Sequence, residues 1–125
     1  MTARRSARGM KARRLGRFSE WLCAMLLRLK GYRIQGRNLR TPQGEIDILA
    51  RRGRVLAVIE VKARGDLLEA GEAVSLNQRR RLVRAALYML GRRPDYADLS
   101  VRFDAMLVAP WRISHVIDAW RDDAL

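Results

Sequence analysis

Three carboxylates and one ammonium sit in two short apolar segments, Gly44-Glu45-Ile46-Asp47-Ile48-Leu49 and Val58-Ile59-Glu60-Val61-Lys62. Along a strand side chains alternate, so Glu45, Asp47 and Leu49 share one face, and Val58, Glu60 and Lys62 share one. A tight turn at Arg52-Gly53 would pair Arg51 with Arg54, Leu49 with Leu56 and Asp47 with Val58. Asp47 then lies diagonal to Glu60, and Lys62 follows on the same side. A slip of one residue would send these groups to opposite faces. Carboxylates this close repel unless a cation lies between them or one holds a proton. Oxygen ligands without thiolate or imidazole favour Mg²⁺ or Mn²⁺. Such an ion polarises a phosphate and activates water, while an ammonium steadies the negative charge that develops. These are the requirements of phosphodiester hydrolysis. The plainer alternative is an exposed ion-pair network on a strand face. The apolar flanks Ile46, Ile48, Val58, Ile59 and Val61 weigh against it.

The bulk charge agrees with an anionic partner. Lys and Arg number 26 against 13 acids, for a net charge of +13 over 125 residues. A domain this basic gains most from a polyanion, where each neutralised phosphate releases counterions. A genome rich in G and C explains Arg in place of Lys, but less easily the twofold excess of base over acid. Other chemistries are poorly supported. Cys23 is the only cysteine, so no internal disulfide forms, and its apolar helical setting is that of a buried, inert thiol. There is no Cys/His cluster for zinc. The single His115 lies in a strand-like stretch near the end, which makes a His-centred triad improbable. No segment is long and apolar enough to span a bilayer and none has the layout of a secretory signal, so the expectation is a cytoplasmic protein without membrane insertion.

The elements that must position the acids are legible. Residues 1–15 carry six basic residues and no acid, and read as a flexible arm that either touches phosphates or is simply solvated. Their composition is also that of a transit peptide. Residues 16–125 form a single domain. A helix is expected over Leu15 to Lys30, stopped by Gly31. Phe18, Leu22, Met25, Leu26 and Leu29 form one apolar stripe, and Glu20, Cys23, Ala24 and Leu27 form a second row opposite it, so the helix should be covered on more than one face. Strands are expected over Tyr32–Arg40, Glu45–Arg51 and Arg54–Arg64, a Ser75-capped helix to Leu90 with Gly91 at its end, a strand over Leu99–Ala109 and a short one over Ile113–Ile117. The order α-β-β-β-α-β-β implies an α/β fold, a mixed sheet with helices packed on it. Arg79, Arg80, Arg81 and Arg84 on the second helix are the best candidates for phosphate contacts, although a wet helix face explains them as simply. Trp21, Trp111 and Trp120 read as core or edge packing rather than base-stacking platforms.

Taken together, Glu20, Gly44-Glu45-Ile46-Asp47 and Glu60-Val61-Lys62 resemble the PD-(D/E)xK nuclease core. More closely they resemble the YraN-like family of small bacterial proteins, which is similar in fold to archaeal Holliday-junction resolvases. Gly31-Tyr32, Arg37-Asn38, Arg102-Phe103-Asp104 and the ending Ile113 to Trp120 extend the resemblance over residues 16 to 120. It implies a restriction-endonuclease-like fold, Asp47 and Glu60 as ligands of Mg²⁺ or Mn²⁺, Lys62 as the catalytic lysine and Glu20 as an auxiliary carboxylate. The implied activity is a metal-dependent nuclease acting on DNA, selective for branched or recombining forms. A homodimer stays open, since resolvase-like nucleases often pair to cut two strands. Two positions depart: Ile46 stands where the general motif has proline, and Gln78 where the narrower family has lysine. Gln78 is either a functional residue or the far half of a capping box with Ser75. A non-catalytic nucleic-acid-binding module, or an adaptor in a larger assembly, is the alternative to the enzyme.

Overall fold

A computed structural model describes the backbone of residues 2–122 and the side chains of residues 16–122. The side chains of the expected arm, 1–15, lie outside the described residues. Helix α1 (Thr2–Leu29) is followed by strands β1 (Arg33–Thr41), β2 (Gly44–Arg52) and β3 (Val55–Ala63). Helices α2 (Leu67–Glu72) and α3 (Leu76–Leu90) then lead through a 3₁₀ turn, Pro94–Tyr96, into β4 (Ser100–Ala109) and β5 (Arg112–Trp120). The strands lie side by side in sequence order; β3 and β4 run parallel and the other neighbouring pairs antiparallel. A parallel pair needs a long crossover, and α2 with α3 supplies it. The architecture is the expected α/β one, a mixed sheet flanked by helices.

The sheet separates two cores. On one face Leu82, Val83, Ala86 and Met89 of α3 pack on Leu49, Leu56, Val58 and Phe103. On the other, Cys23, Ala24 and Leu27 of α1 pack on Ile48, Ala50, Ala57, Ile59 and Met106. Helix α3 starts as its sequence requires, the Ser75 hydroxyl accepting the Gln78 N–H at 3.2 Å, and Gly91 caps its end.

Helix α1 lies on the sheet by a different face from the one its longer apolar stripe suggests. Its second row is buried, with Cys23, Ala24 and Leu27 at 0% exposure, whereas Phe18, Met25 and Leu29 are 56%, 38% and 85% exposed. Small residues let the helix lie close over the strands, and the bulkier stripe is turned away. Three further details differ. Helix α2 was not anticipated, although Asp66 caps it through the Glu69 N–H at 2.8 Å; six residues are too few to show a period. Strand β5 is longer than the short strand expected. The hairpin tip is Gly53-Arg54 rather than Arg52-Gly53, with Arg52 opposite Val55 and Leu49 opposite Val58.

Candidate active site

That change of register is by two residues, so the paired side chains from Ile48 to Arg52 keep their faces. The regular pairing of β2 with β3 ends at Ile48 opposite Ile59, and just beyond it Asp47 and Glu60 line one cleft. Here the strands part. The Asp47 carboxylate accepts the Val61 N–H at 2.8 Å, replacing a ladder carbonyl with a side-chain oxygen. Glu60 is 8% exposed, and its Oε1 meets the Lys62 Nζ at 3.1 Å. Adjacent same-face positions on one strand thus bring Lys62 and Glu60 together, and strand pairing adds Asp47.

Burial raises the pKa of both acids. For Glu60, burial and the neighbouring Asp47 charge push it up to about 7, against the pull of Lys62. For Asp47, burial raises it while the Val61 N–H and Lys62 oppose. Two carboxylates facing each other out of water are stabilised by a shared proton or by a cation. Glu20 approaches from α1. Burial and the Asp47 charge raise its pKa too, and its Oε2 is buried without a hydrogen-bond partner. An orphaned carboxylate oxygen near a repelling acid pair fits a hard cation or its bound water. Among the described residues, however, no three acid, His or Cys side chains form a ready-made cage around one point. Asp47 and Glu60 are therefore the pair, and Glu20 stands outside it.

The acids open into a cleft of about 180 Å³ lined by Glu45, Asp47, Glu60, Gln78, Arg81 and Leu82. Gln78 gives its backbone N–H to Ser75, but its side chain does not complete a capping box; it lines this cleft. Arg81 joins it from the next turn side of α3. Arg80 and Arg84 are exposed, as expected of a wet helix face. Arg79 is different: its guanidinium lies over the Trp120 ring, 5.7 Å from the centroid, and Trp120 stacks on Phe103. Cys23 is fully buried, its thiol pushed up to about 12 chiefly by burial. Like Glu20 it belongs to the row of α1 that meets the sheet.

A second polar cluster went unread beyond the pairing of Arg102 with Asp104. Asp104 is wholly buried. It accepts two bonds from Arg102 at 2.8 Å, one from His115 Nε2 at 2.8 Å and the Asp118 N–H at 3.0 Å. Burial alone would raise its carboxyl, but these partners outweigh it and hold it low. The Lys30 ammonium lies 2.9 Å from His115 Nδ1, which leaves the proton of a neutral ring on Nε2, facing Asp104. With every member partnered, the cluster ties the turn after α1 to β4 and β5. Only the spacing Arg102-x-Asp104 signalled it in the sequence.

Fold and site together define a class: an α/β protein whose central antiparallel hairpin carries a buried acid pair and a lysine beside a basic helix. The chain belongs to the family described as Uncharacterised protein family UPF0102, whose model matches residues 19–108. The YraN-like resemblance is thereby shown. A UPF0102 protein of Parvibaculum lavamentivorans is 56% identical over 116 residues, covering 92% of this chain and 87% of the relative. One of Chelativorans sp. is 54% identical over 102 residues, 82% of each chain. One of Caulobacter vibrioides is 50% identical over 117 residues, 93% of this chain and 94% of the relative. Among the described residues no helix is long and apolar enough to cross a membrane.

Proposed function

We propose that this protein is a Mg²⁺- or Mn²⁺-dependent nuclease that hydrolyses phosphodiester bonds in DNA, with branched or recombining forms as its substrates. The observation that carries this reading is the acid pair Asp47 and Glu60, facing each other beside Lys62 in a cleft on a strongly basic protein. Asp47 and Glu60 would hold the ion, with Glu20 behind them for a water of its shell. When bound, such an ion supplies charge neutralisation at the phosphate and a water of lowered pKa. The chain's own groups do the rest. Lys62, tied to Glu60, keeps its ammonium beside the reacting phosphate and offsets the charge that builds there. From the opposite wall, the Gln78 carboxamide can orient a water or a phosphate oxygen, and the Arg81 guanidinium can grip a phosphate by two bonds. Arg80 and Arg84 extend the same cationic face. One active cleft per chain cuts one strand, so a homodimer would serve a substrate cut on both.

The test is cleavage of a labelled branched DNA with and without Mg²⁺. Asp47→Ala, Glu60→Ala and Lys62→Ala should each lower the rate by at least about 100-fold, the order expected for losing one charge-stabilising group, while binding is kept. Variants that cut as well as the parent would remove the site assignment. A second reading draws on the Glu60–Lys62 ion pair, which already satisfies part of the cleft without a cation. It makes the chain a non-catalytic nucleic-acid-binding module, with strongly salt-dependent binding and no product under any divalent ion.

A further inference from the structure

The face of α1 turned away from the sheet is apolar and uncovered among the described residues. Phe18 and Trp21 are 56% and 47% exposed, and their rings stack at 6.2 Å. Between this face and the β4–β5 turn lies a groove of about 600 Å³, walled by Phe18 and Leu22 on one side and by Val108 and Ile113 on the other. Trp111 and the exposed Arg64 and Arg112 also line it. The expectation that Trp111 packs at a core or an edge is overturned, because it is 102% exposed.

Its backbone makes the position more unusual. Trp111 is the second residue of the two-residue turn Pro110-Trp111 and has φ +67°. Glycine or asparagine suits that place, and a bulky side chain there is costly. Folding gains nothing in return, since the ring packs on nothing that burial would reward. A flat apolar platform beside two guanidiniums is what an unpaired base and its phosphates require. A base stacks on the ring, and the arginines meet the backbone charge.

We infer that this groove binds the unpaired bases of a single-stranded segment of the substrate. Charge decides between occupants. A second copy of this chain would bring its own +13 against Arg64 and Arg112, whereas nucleic acid brings phosphates. A continuous duplex hides its base faces in the stack and has nothing to lay on Trp111. Position agrees as well. Ala63 and Arg64 of the groove directly follow Lys62, and Phe18 and Ser19 directly precede Glu20. Groove and acid pair therefore share β3 and α1, although α1 walls the groove while α3 residues line the acid cleft. The inference rests on the nuclease reading and deepens it by naming its substrate as DNA with an unpaired stretch; the binding itself does not need catalysis.

The experiment uses the full chain carrying Glu60→Gln, in buffer free of divalent ions, and measures its affinity for a labelled oligothymidylate and for a blunt duplex of equal charge. Trp111→Ala should weaken the oligothymidylate about 5- to 10-fold, in line with loss of one stacked base, and the duplex less than about twofold. Trp111→Phe should recover most of the loss, and Phe18→Ala should reproduce part of it. Both side chains are exposed, so the fold is kept, and circular-dichroism melts confirm it. Equal losses on the two DNAs, or none on either, overturn the inference. A dimer in sedimentation that Trp111→Ala dissolves, with both affinities unchanged, also overturns it and assigns the groove to a second copy. Because no cleavage is measured, an inactive protein that still loses oligothymidylate through Trp111→Ala refutes the nuclease reading alone.

Discussion

Glu60 keeps its proton at pH values where the carboxyl of an unfolded chain has lost it. Its folded pKa is about 7 against an ordinary 4.5, so between those values the native state binds more protons than the unfolded state. Stability must then fall as the pH rises through that window, and its contribution is whole only below 4.5. Melts in divalent-free buffer should show Tm declining across the window, and Glu60→Gln should flatten that part of the profile. An ion between Asp47 and Glu60 replaces the proton, so Mg²⁺ should raise Tm clearly above pH 7 and little below 4.5. An equal rise at both ends would speak against an ion at this pair. The buried Asp104 titrates in the opposite sense because His115, Arg102 and the Asp118 N–H favour its charged form. Two buried acids in one sheet thus take opposite protonation behaviour from their partners.

The elements show what a sequence discloses and what it hides. Period-two alternation and turn residues disclosed β2 and β3, and Ser75 and Gly91 disclosed both ends of α3. The hairpin register was misplaced by two residues because Arg52-Gly53 and Gly53-Arg54 are both acceptable tips. Because the shift is even, Asp47 and Glu60 still line one cleft, with Lys62 against Glu60. Helix α1 was harder. Its two apolar rows are both good enough to pack, and the choice depends on how closely Cys23 and Ala24 let the backbone approach Ile48 and Ile59, which no local pattern encodes. The choice has a direct check by urea denaturation. Leu27→Ala should cost about 3 kcal/mol, as for a buried leucine, and Leu29→Ala no more than about 0.5 kcal/mol, as for a surface change. The reverse order would mean that α1 packs by its other face. The Asp104 cluster stayed hidden for a related reason, since it joins residues 30, 32, 102, 104 and 115 that only the fold makes neighbours.

For the whole molecule the governing quantity is charge. With +13 spread over 125 residues, attraction to DNA should be steep in salt. If Arg80, Arg81 and Arg84 each meet a phosphate, replacing all three by alanine should flatten the plot of log affinity against log salt for duplex DNA by about 3, near 0.9 for each contact. A slope that does not change would return these residues to the role of a solvated face. Arg79, lying over Trp120, is left out of that set because its removal would also disturb packing.

The outermost strands bear on this as well. Among the described residues β1 pairs only with β2 and β5 only with β4, so each leaves a row of backbone amides that a neighbouring molecule could extend. On β1 that margin carries Arg33, Arg37 and Arg40 and an irregular step between Ile34 and Gly36, both of which discourage such growth. Repulsion among cations thus guards the protein against stacking on itself, and a bound polyanion that cancels them would lower the same guard.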